Sequence, residues 1–331
     1  MPDSLPLLII IFVIALGFAI VNGVNDAANA IATVISTRVL SPRVAILMAA
    51  LLNLAGAVTG TAVALTIGRG IIDTGALGMG ILLASLLAAI IWSLFATYLG
   101  LPVSLSHGLV AGLVGAGIAI AGSGVIVWSG FEKVLSAVAS APLLGFVGGL
   151  LAMIALSWVL RKRAPARVRR IFSNLQIVSA AFLAYAHGKN DGQMPIGVMV
   201  MALVVYSGQG EYFDHIPWGI IIACGLAISF GTAIGGWRVI KTVGTRITKL
   251  EPVHGFAANT SAAIIIELAS WLGIPVSTTH CISSSIMGVG ATKRLSAVRW
   301  GVAGNIIMAW ILTFPVCAAL GWLLGKLFGL F

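Results

Sequence analysis

Two copies of a short polar motif stand inside otherwise apolar segments of this chain. GVND (23–26) and GKND (188–191) share the pattern Gly-x-Asn-Asp and are far apart in the sequence. Carboxylate and amide oxygens are the ligands that hard cations prefer, and glycine permits backbone that leaves a helix and frees further carbonyl oxygens. The repetition favours a cation site over Asn-Asp pairs that only hydrogen-bond to neighbouring helices. The predicted cation ligands are Asn22, Asp26, Asn29 and Asp191.

A second pair of motifs has the chemistry of an anion site. PVSLSH (102–107) and PVSTTH (275–280) are separated by nearly the same length of chain as the first pair. Proline suits the first turn of a helix, where free N–H groups and the helix dipole favour an anion. The serine and threonine hydroxyls add donors, although ordinary helix capping by these residues is the alternative. The predicted anion ligands are Asn25, Asp26, Ser104, Ser106, Asn190, Asp191, Ser277, Thr278 and Thr279.

A site that contains two carboxylates and binds an anion needs a source of positive charge. Cations bound at the aspartates would neutralise them and couple cation entry to anion entry. Alternatively, the anion carries a proton that a carboxylate accepts, as hydrogen phosphate does and sulfate at neutral pH does not. The site therefore favours phosphate over sulfate, with Na⁺ or H⁺ as the coupling ion and no organic cofactor.

The composition predicts that membrane helices hold these motifs. Of the 331 residues, 60% are hydrophobic and only 8% are charged, whereas a soluble domain carries roughly 25% charged residues. Several nearly uncharged runs approach the ~20 residues that cross a bilayer as a helix. The net charge of +10 comes mainly from four loops between these runs, which is typical of cytoplasmic loops. The lipid bilayer is thus an expected partner, and nucleic acid is not.

These loops, placed inside, predict an all-α polytopic protein of the plasma or inner membrane with both termini outside. The segments that hold the Gly-x-Asn-Asp motifs are longer than one span, so we expect each to break at its motif. The passes 102–120 and 275–290 are candidates for re-entrant hairpins. The ten predicted passes are 5–36, 44–68, 76–99, 102–120, 134–160, 171–206, 218–236, 254–272, 275–290 and 300–325.

The order of the motifs predicts an internal duplication. Both motif pairs recur in the same order on either side of a basic loop at 161–170. Five passes in each half, 1–160 and 171–331, give the halves opposite orientations in the membrane. Inverted repeats of this kind are typical of secondary transporters, whose site lies near the midplane where the halves meet.

Four further residues are predicted to modulate the site. Lys189 either neutralises Asp191 or extends away from it. Glu267 is an intramembrane acid that serves as a proton site or pairs with a basic loop residue. His107 and His280 either orient the hairpin tips and contact the anion or pack as structural side chains.

Other functional classes have weaker support in the sequence. His187 and Asp191 share a helix face, but no third ligand lies at metal spacing, so no transition-metal site is predicted. A hydrolase would need a nucleophile with its base or an HExxH metal site, and we find neither. An anion channel would more naturally be a symmetric pore built by several chains.

The segments GVNDAANAIATVISTRVL, AHGKNDGQMPIGVM, PVSLSH and PVSTTH resemble the signatures of the PiT family of inorganic phosphate transporters. The resemblance covers nearly the whole chain. It implies cation-coupled phosphate uptake, an inverted repeat, a site shared by both motif pairs, and a homodimer with an elevator-like movement. Related permeases carry sulfate, so a sulfate permease is the alternative. Lys189 replaces the small residue usual in the family, and Gln193 and Pro195 also distinguish the second copy from the first.

Overall fold

The computed structural model describes residues 4–329, which are helical apart from short connections and one isolated bridge between Ile72 and Ile126. The all-α prediction is therefore confirmed. The outermost residues of both termini, whose side of the membrane was predicted, lie outside this range. The helices are α1 (Leu5–Ser36), α2 (Pro42–Ala57), α3 (Ala62–Gly70), α4 (Met79–Leu99), α5 (Leu105–Ala121), α6 (Trp128–Leu160), α7 (Pro165–Asp191), α8 (Gln193–Ser207), α9 (Trp218–Ile234), α10 (Trp237–Lys241), α11 (Pro252–Trp271), α12 (Thr278–Ala291) and α13 (Trp300–Phe328).

Four of these helices, α1, α4, α6 and α13, are long and apolar enough to cross a bilayer individually. The α2–α3 pair reaches span length with a bend of 64°, and α9 does so with α10 and its π-helical extension at a bend of 62°. By length and composition, residues 4–329 thus contain four to six spans, and a multi-pass membrane protein is confirmed at this level. The finer prediction of ten passes stays a prediction.

The helix α1 runs unbroken through the first Gly-x-Asn-Asp motif. The expected break there was wrong, and the reason is Gly23. A Cβ on this glycine would lie 2.1 Å from the carbonyl oxygen of Ile228, so the residue permits close packing against α9 and does not unwind the helix. At the second motif, α7 ends at Asp191 and α8 begins at Gln193, so the interruption is a single glycine.

The basic loop predicted at 161–170 is also shorter than expected. The helix α6 ends at Leu160, and α7 begins at Pro165. Proline has no N–H to lose in the first turn of a helix, so it starts α7 early. Three of the six basic residues, Arg167, Arg169 and Arg170, therefore lie on the exposed first turns of α7.

Helices of the two halves pack through glycines at close backbone contacts. In α7, a Cβ on Gly188 would lie 2.2 Å from the carbonyl oxygen of Asn53 in α2. This contact is similar to that of Gly23 in α1 with the backbone of α9. Between α5 and α13, a Cβ on Gly115 would lie 2.0 Å from the carbonyl oxygen of Ala318. Between α12 and α6, a Cβ on Gly288 would also lie 2.0 Å from a carbonyl oxygen, that of Phe146. Each half therefore supplies packing partners to the other.

The helices α5 and α12 are short and begin in the protein interior. They contain 17 and 14 residues, about 26 and 21 Å at 1.5 Å per residue, less than a hydrocarbon core of ~30 Å. Pro102 and Pro275 lie in the extended residues before each helix, so their expected place in the first helical turn was wrong. The re-entrant hairpins stay a prediction.

Candidate functional site

Three buried titratable side chains meet where α1 and α7 cross. His187 Nε2 lies 3.7 Å from Asp26 Oδ2 and 3.4 Å from Asp191 Oδ2. One potential ligand atom from each residue falls within 4.8 Å of the others. The two aspartates that the sequence paired are therefore neighbours in space. We call Asp26, His187 and Asp191 the carboxylate cluster.

The cluster supplies the third ligand that sequence spacing did not show for His187 and Asp191. Asp26 comes from α1, so no local pattern could reveal it. Two carboxylates and an imidazole can hold a cation. The predicted absence of a transition-metal site stays a prediction. The opposite edge of the imidazole is fixed, because His187 Nδ1 lies 2.9 Å from Asn53 Oδ1, and Asn53 in turn donates to Thr232 at 2.8 Å.

Two hydroxyls at the start of α12 contact the carboxylates. Thr279 Oγ1 donates to Asp26 Oδ1 at 2.8 Å, and Thr278 Oγ1 donates to Asp191 Oδ2 at 3.1 Å. Asn29 Nδ2 donates to Thr278 Oγ1 at 3.1 Å and to Thr279 Oγ1 at 2.9 Å. The fold thus joins the predicted ligands of α1, α7 and α12 in one network, and all of these side chains are buried.

The asparagines that precede the aspartates brace the helices. Asn25 Nδ2 donates to Thr97 Oγ1 of α4 at 2.7 Å. The amide of Asn190 lies 2.9 Å from Ser270 Oγ of α11. Thr97 and Ser270 have the same separation along the chain as the two Pro-Val-Ser motifs. The two bridges therefore occupy matching positions in the two halves.

Several polar atoms in and beside the first motif have no hydrogen-bond partner in the described range. They are both amide atoms of Asn22 and the side-chain oxygens of Asn25 and Asn29. A buried amide without a partner costs roughly 1–3 kcal/mol, so a ligand that satisfies these oxygens would be favoured. All three belong to α1, on the turns that carry Asp26.

The serines of the Pro-Val-Ser motifs have capping and bridging roles in this structure. Ser104 and Ser277 accept from the N–H groups of His107 and His280, at 3.3 and 3.1 Å. Capping, the alternative interpretation, therefore describes these two hydroxyls. Ser106 Oγ lies 3.5 Å from the carbonyl oxygen of Val276, which joins the two tips.

The two histidines of these motifs pack against each other. The rings of His107 and His280 have centroids 5.0 Å apart, and the His280 ring lies 4.1 Å from that of Trp310. Neither ring contacts the carboxylate cluster by a hydrogen bond within residues 4–329. Their arrangement is that of packed side chains at the junction of the two tips.

Lys189 and Glu267 form an ion pair with each other. Of the two alternatives for Lys189, the structure has the one in which the side chain extends away from Asp191. Glu267 pairs with a basic residue of α7 and not of a loop, and its role as a proton site stays a prediction. Gln193 supports the same region, because its Oε1 accepts from the N–H groups of Val63 and Ala64 at the start of α3, at 2.8 and 3.2 Å. The second motif is thus tied to both α11 and α3.

Sequence reasoning missed Asn53, Thr97 and Asn259 as parts of this polar centre. They lie in α2, α4 and α11, which carry neither of the two motifs. A single polar residue at membrane depth is a signal of function or pairing, and Asn53 in the run AALLNLAGA met that criterion. Its partner could not be inferred, because His187 lies 134 residues further along the chain.

A buried polar centre enclosed by helices long and apolar enough to cross a bilayer is typical of membrane transport proteins. The chain matches the phosphate transporter family over residues 22–321. It is 45% identical to a probable low-affinity inorganic phosphate transporter of Rhizobium meliloti, over 95% of this chain and 94% of that protein. A protein of Bacillus subtilis with the same description is 43% identical, over 95% of each chain. A solved structure described as the sodium-dependent phosphate transporter superposes with a TM-score of 0.88 at 28% identity, over 98% of this chain and all of that one.

The chain therefore belongs to the phosphate transporter family. The predicted family resemblance is confirmed, and so is the prediction of a transporter rather than an enzyme. Phosphate is the substrate of the family.

Proposed function

We propose that this protein is a secondary active transporter that imports inorganic phosphate together with a cation by alternating access. The proposal rests on the hydrogen bonds made by the two threonine hydroxyls at the start of α12. A threonine hydroxyl has one proton to donate. In this structure Thr278 and Thr279 donate to Asp191 and Asp26. These hydroxyls can donate to an anion only after they stop donating to the carboxylates.

A cation at the carboxylates provides that release. Its charge neutralises Asp26 and Asp191, so the threonine hydroxyls can turn toward a phosphate oxygen. Without the cation, a phosphate dianion would meet two carboxylates in a low-dielectric site, where repulsion is strong. The cation and the anion therefore stabilise each other's binding, which is the thermodynamic basis of coupling. Na⁺ is the favoured ion because the site is rich in oxygen ligands, and the similar solved structure is described as sodium-dependent. H⁺ is the alternative.

The proposed architecture is an inverted repeat of residues 1–160 and 171–331, joined at 161–170. Support comes from the matched bridges of Asn25 and Asn190 and from the reciprocal glycine crossings between the halves. In this arrangement the polypeptide makes ten passes and both termini lie outside. The basic residues of 161–170 face the cytoplasm. We further propose a homodimer in the plasma or inner membrane, with an elevator-like movement.

Uptake of radiolabelled phosphate into proteoliposomes tests the function. Three conditions are compared: an inward Na⁺ gradient, an inward H⁺ gradient, and no gradient, each with and without excess sulfate. We expect accumulation with Na⁺ that sulfate does not reduce. Thr278→Val with Thr279→Val is the paired variant, and we expect it to lose phosphate uptake while Na⁺ binding remains.

The other outcomes have defined meanings. Accumulation with H⁺ alone would make H⁺ the coupling ion. Equilibration without a gradient would replace the transporter by a channel. Strong inhibition by sulfate would favour the sulfate permease, and Lys189→Ala would then be the variant to examine for a change in anion preference. Unchanged uptake in the double threonine variant would overturn the role of the α12 hydroxyls.

A further inference from the structure

A line of polar side chains continues along α1 beyond the carboxylate cluster. Asn29, Thr33 and Thr37 follow Asp26 at intervals of three to four residues. At 1.5 Å per residue, successive groups are roughly 5–6 Å apart along the helix. Asn29 and Thr33 are fully buried. Polar groups at this depth are costly unless they pair or contact an ion or water.

Two residues from other helices complete this line. Thr33 Oγ1 donates to Asn259 Oδ1 of α11 at 3.0 Å. Thr37 Oγ1 lies 2.9 Å from Gln176 Oε1 of α7 and 2.9 Å from the carbonyl oxygen of Thr33, and its single proton serves either acceptor. Asn259 and Gln176 are themselves buried. We call these five residues, Asn29, Thr33, Thr37, Gln176 and Asn259, the polar file.

The polar file has unused hydrogen-bonding capacity and reaches the protein surface. Asn29 Oδ1, Asn259 Nδ2 and Gln176 Nε2 have no partner within the described residues. Thr37, at the end of the file, is half-buried. Gln176 lies in the half of α7 that follows the basic turn 161–164. The file therefore runs from the carboxylate cluster toward the end of α7 that adjoins the turn 161–164, which we call the basic-turn face.

The matching positions of the opposite half contain no polar side chain. At the spacing of the two Gly-x-Asn-Asp motifs, Met194, Val198 and Ala202 correspond to Asn29, Thr33 and Thr37. At the same spacing, Ile11 corresponds to Gln176. At the spacing of the two Pro-Val-Ser motifs, Leu86 corresponds to Asn259. All five of these apolar residues are buried in one hydrophobic cluster. The polar file is thus present on one side of the site and replaced by apolar packing on the other.

We propose that the polar file is the route by which the coupling cation passes between the carboxylate cluster and the basic-turn face. This inference rests on the proposed cation coupling. Oxygens of Asn29, Thr33 and Asn259 can replace part of a cation's hydration shell. Because none of them is charged, the cation is held weakly enough to leave, which conduction requires. The file offers no positive charge to a phosphate dianion, so it serves the cation alone.

Cysteine accessibility tests the route with a matched pair of variants. Thr33→Cys lies in the file, and Val198→Cys occupies the corresponding apolar position. Membrane vesicles of either orientation are treated with a membrane-impermeant thiol reagent, with and without Na⁺. Ala164→Cys marks the basic-turn face, and Gln209→Cys marks the opposite end of the α7–α8 pair. The native cysteines are buried, and the unmodified chain gives the background.

We expect the cysteine at position 33 to react at least ~10-fold faster than that at 198, from the basic-turn face only, and Na⁺ to slow its reaction. Equal rates at the two positions would overturn the route, and so would reaction only from the opposite face. Phosphate binding by each purified variant shows that it is folded. Labelling does not require uptake, so this result is separate from the wild-type uptake assay that tests the proposed function.

Transport gives an independent measurement. Thr33→Val with Asn259→Leu installs the residues of the opposite half and leaves no lone polar partner. We expect Na⁺-driven uptake to fall ~10-fold or more while phosphate binding in Na⁺-equilibrated detergent solution stays within ~2-fold. The control, Val198→Ala, lies outside the file. Full uptake by the double variant would overturn the proposal.

Discussion

The two Gly-x-Asn-Asp motifs share a pattern but differ in how their surroundings satisfy them. In the first copy, the described residues offer Asn22 no partner, and the side-chain oxygens of Asn25 and Asn29 are free. In the second copy, His187 contacts Asn53, and Lys189 pairs with Glu267. Although Asn25 is bound to Thr97, the first copy therefore keeps more free amide oxygens for a ligand, whereas the second is braced more extensively by neighbouring helices. Each copy supplies one carboxylate to the cluster, and the surroundings of the two carboxylates differ.

The largest expected effect removes what the two copies have in common. Asp26→Asn and Asp191→Asn each delete one carboxylate of the cluster and keep its shape. Truncating one partner of a buried charged pair costs ~2–5 kcal/mol, so we expect uptake to fall ~100-fold or more in either variant. Radiolabelled phosphate uptake measures this. Wild-type rates in one variant alone would show that only the other copy binds the cation.

The next effect separates the free copy from the braced one. Asn53→Leu leaves His187 Nδ1 without a partner and takes one donor from Thr232, which keeps its bond to Ile228, so we expect a loss of about 2 kcal/mol in stability. Asn22→Leu leaves nothing unpaired, so its thermal stability should equal or exceed that of the wild type, while its Na⁺ requirement rises. Thermal unfolding in detergent and the Na⁺ dependence of uptake measure the two quantities. The opposite pattern would reverse the assignment of free and braced copies.

A smaller effect concerns the ion pair of the second copy. Val24 and Leu94 occupy the positions that correspond to Lys189 and Glu267. Lys189→Val or Glu267→Leu alone should lower stability by about 2 kcal/mol, less than the ~3–5 kcal/mol of a fully buried pair, because the side chains are 15% and 27% exposed. The double variant should recover most of the loss. If it does not, the pair has a role beyond bracing, and uptake kinetics would show which step it affects.

The smallest effect lies at the surface, where the loop after α8 is tied to α3. Arg69 donates to Asp214 at 2.9 Å, and this hydrogen bond holds the pKa of the Asp214 carboxyl below its ordinary value. The contribution to stability is present at neutral pH and is lost as pH falls through the lowered pKa. Asp214→Asn should thus flatten the thermal stability curve only below about pH 4. A change in uptake at neutral pH would contradict this peripheral role.

Much of the fold followed from the sequence because hydrophobic runs and repeated motifs are local signals. The bounds of α1 agree with the predicted segment 5–36, and the pairing of Asp26 with Asp191 was expected. Glycine carried two meanings that the sequence does not distinguish. At Gly23 the neighbour is the backbone of α9, and only the folded contact shows that packing, not unwinding, requires the residue.

The rest of the site depends on partners that are distant in the chain. Thr278 and Thr279 were predicted as anion ligands, yet in this structure they donate to carboxylates, a contact that no spacing reveals. The partner of His187 in the cluster comes from α1, and the partner of Lys189 comes from α11. Motif positions identify the participants of such a centre, and packing decides which of them touch.

The reciprocal glycine crossings also constrain how the protein is made. The helix α1 packs against α9 where Gly23 faces Gly231. Because α9 lies in the second half of the sequence, the ribosome makes it long after α1. At roughly 5–20 residues per second, α1 waits about 10–40 s in the membrane before α9 is made, and the partners of Asp26 and Asn29 in α12 come later still. During that interval the nascent chain depends on lipid headgroups, water or an insertion factor to shield these groups. A protein of this design is therefore most vulnerable to degradation before its second half has been inserted.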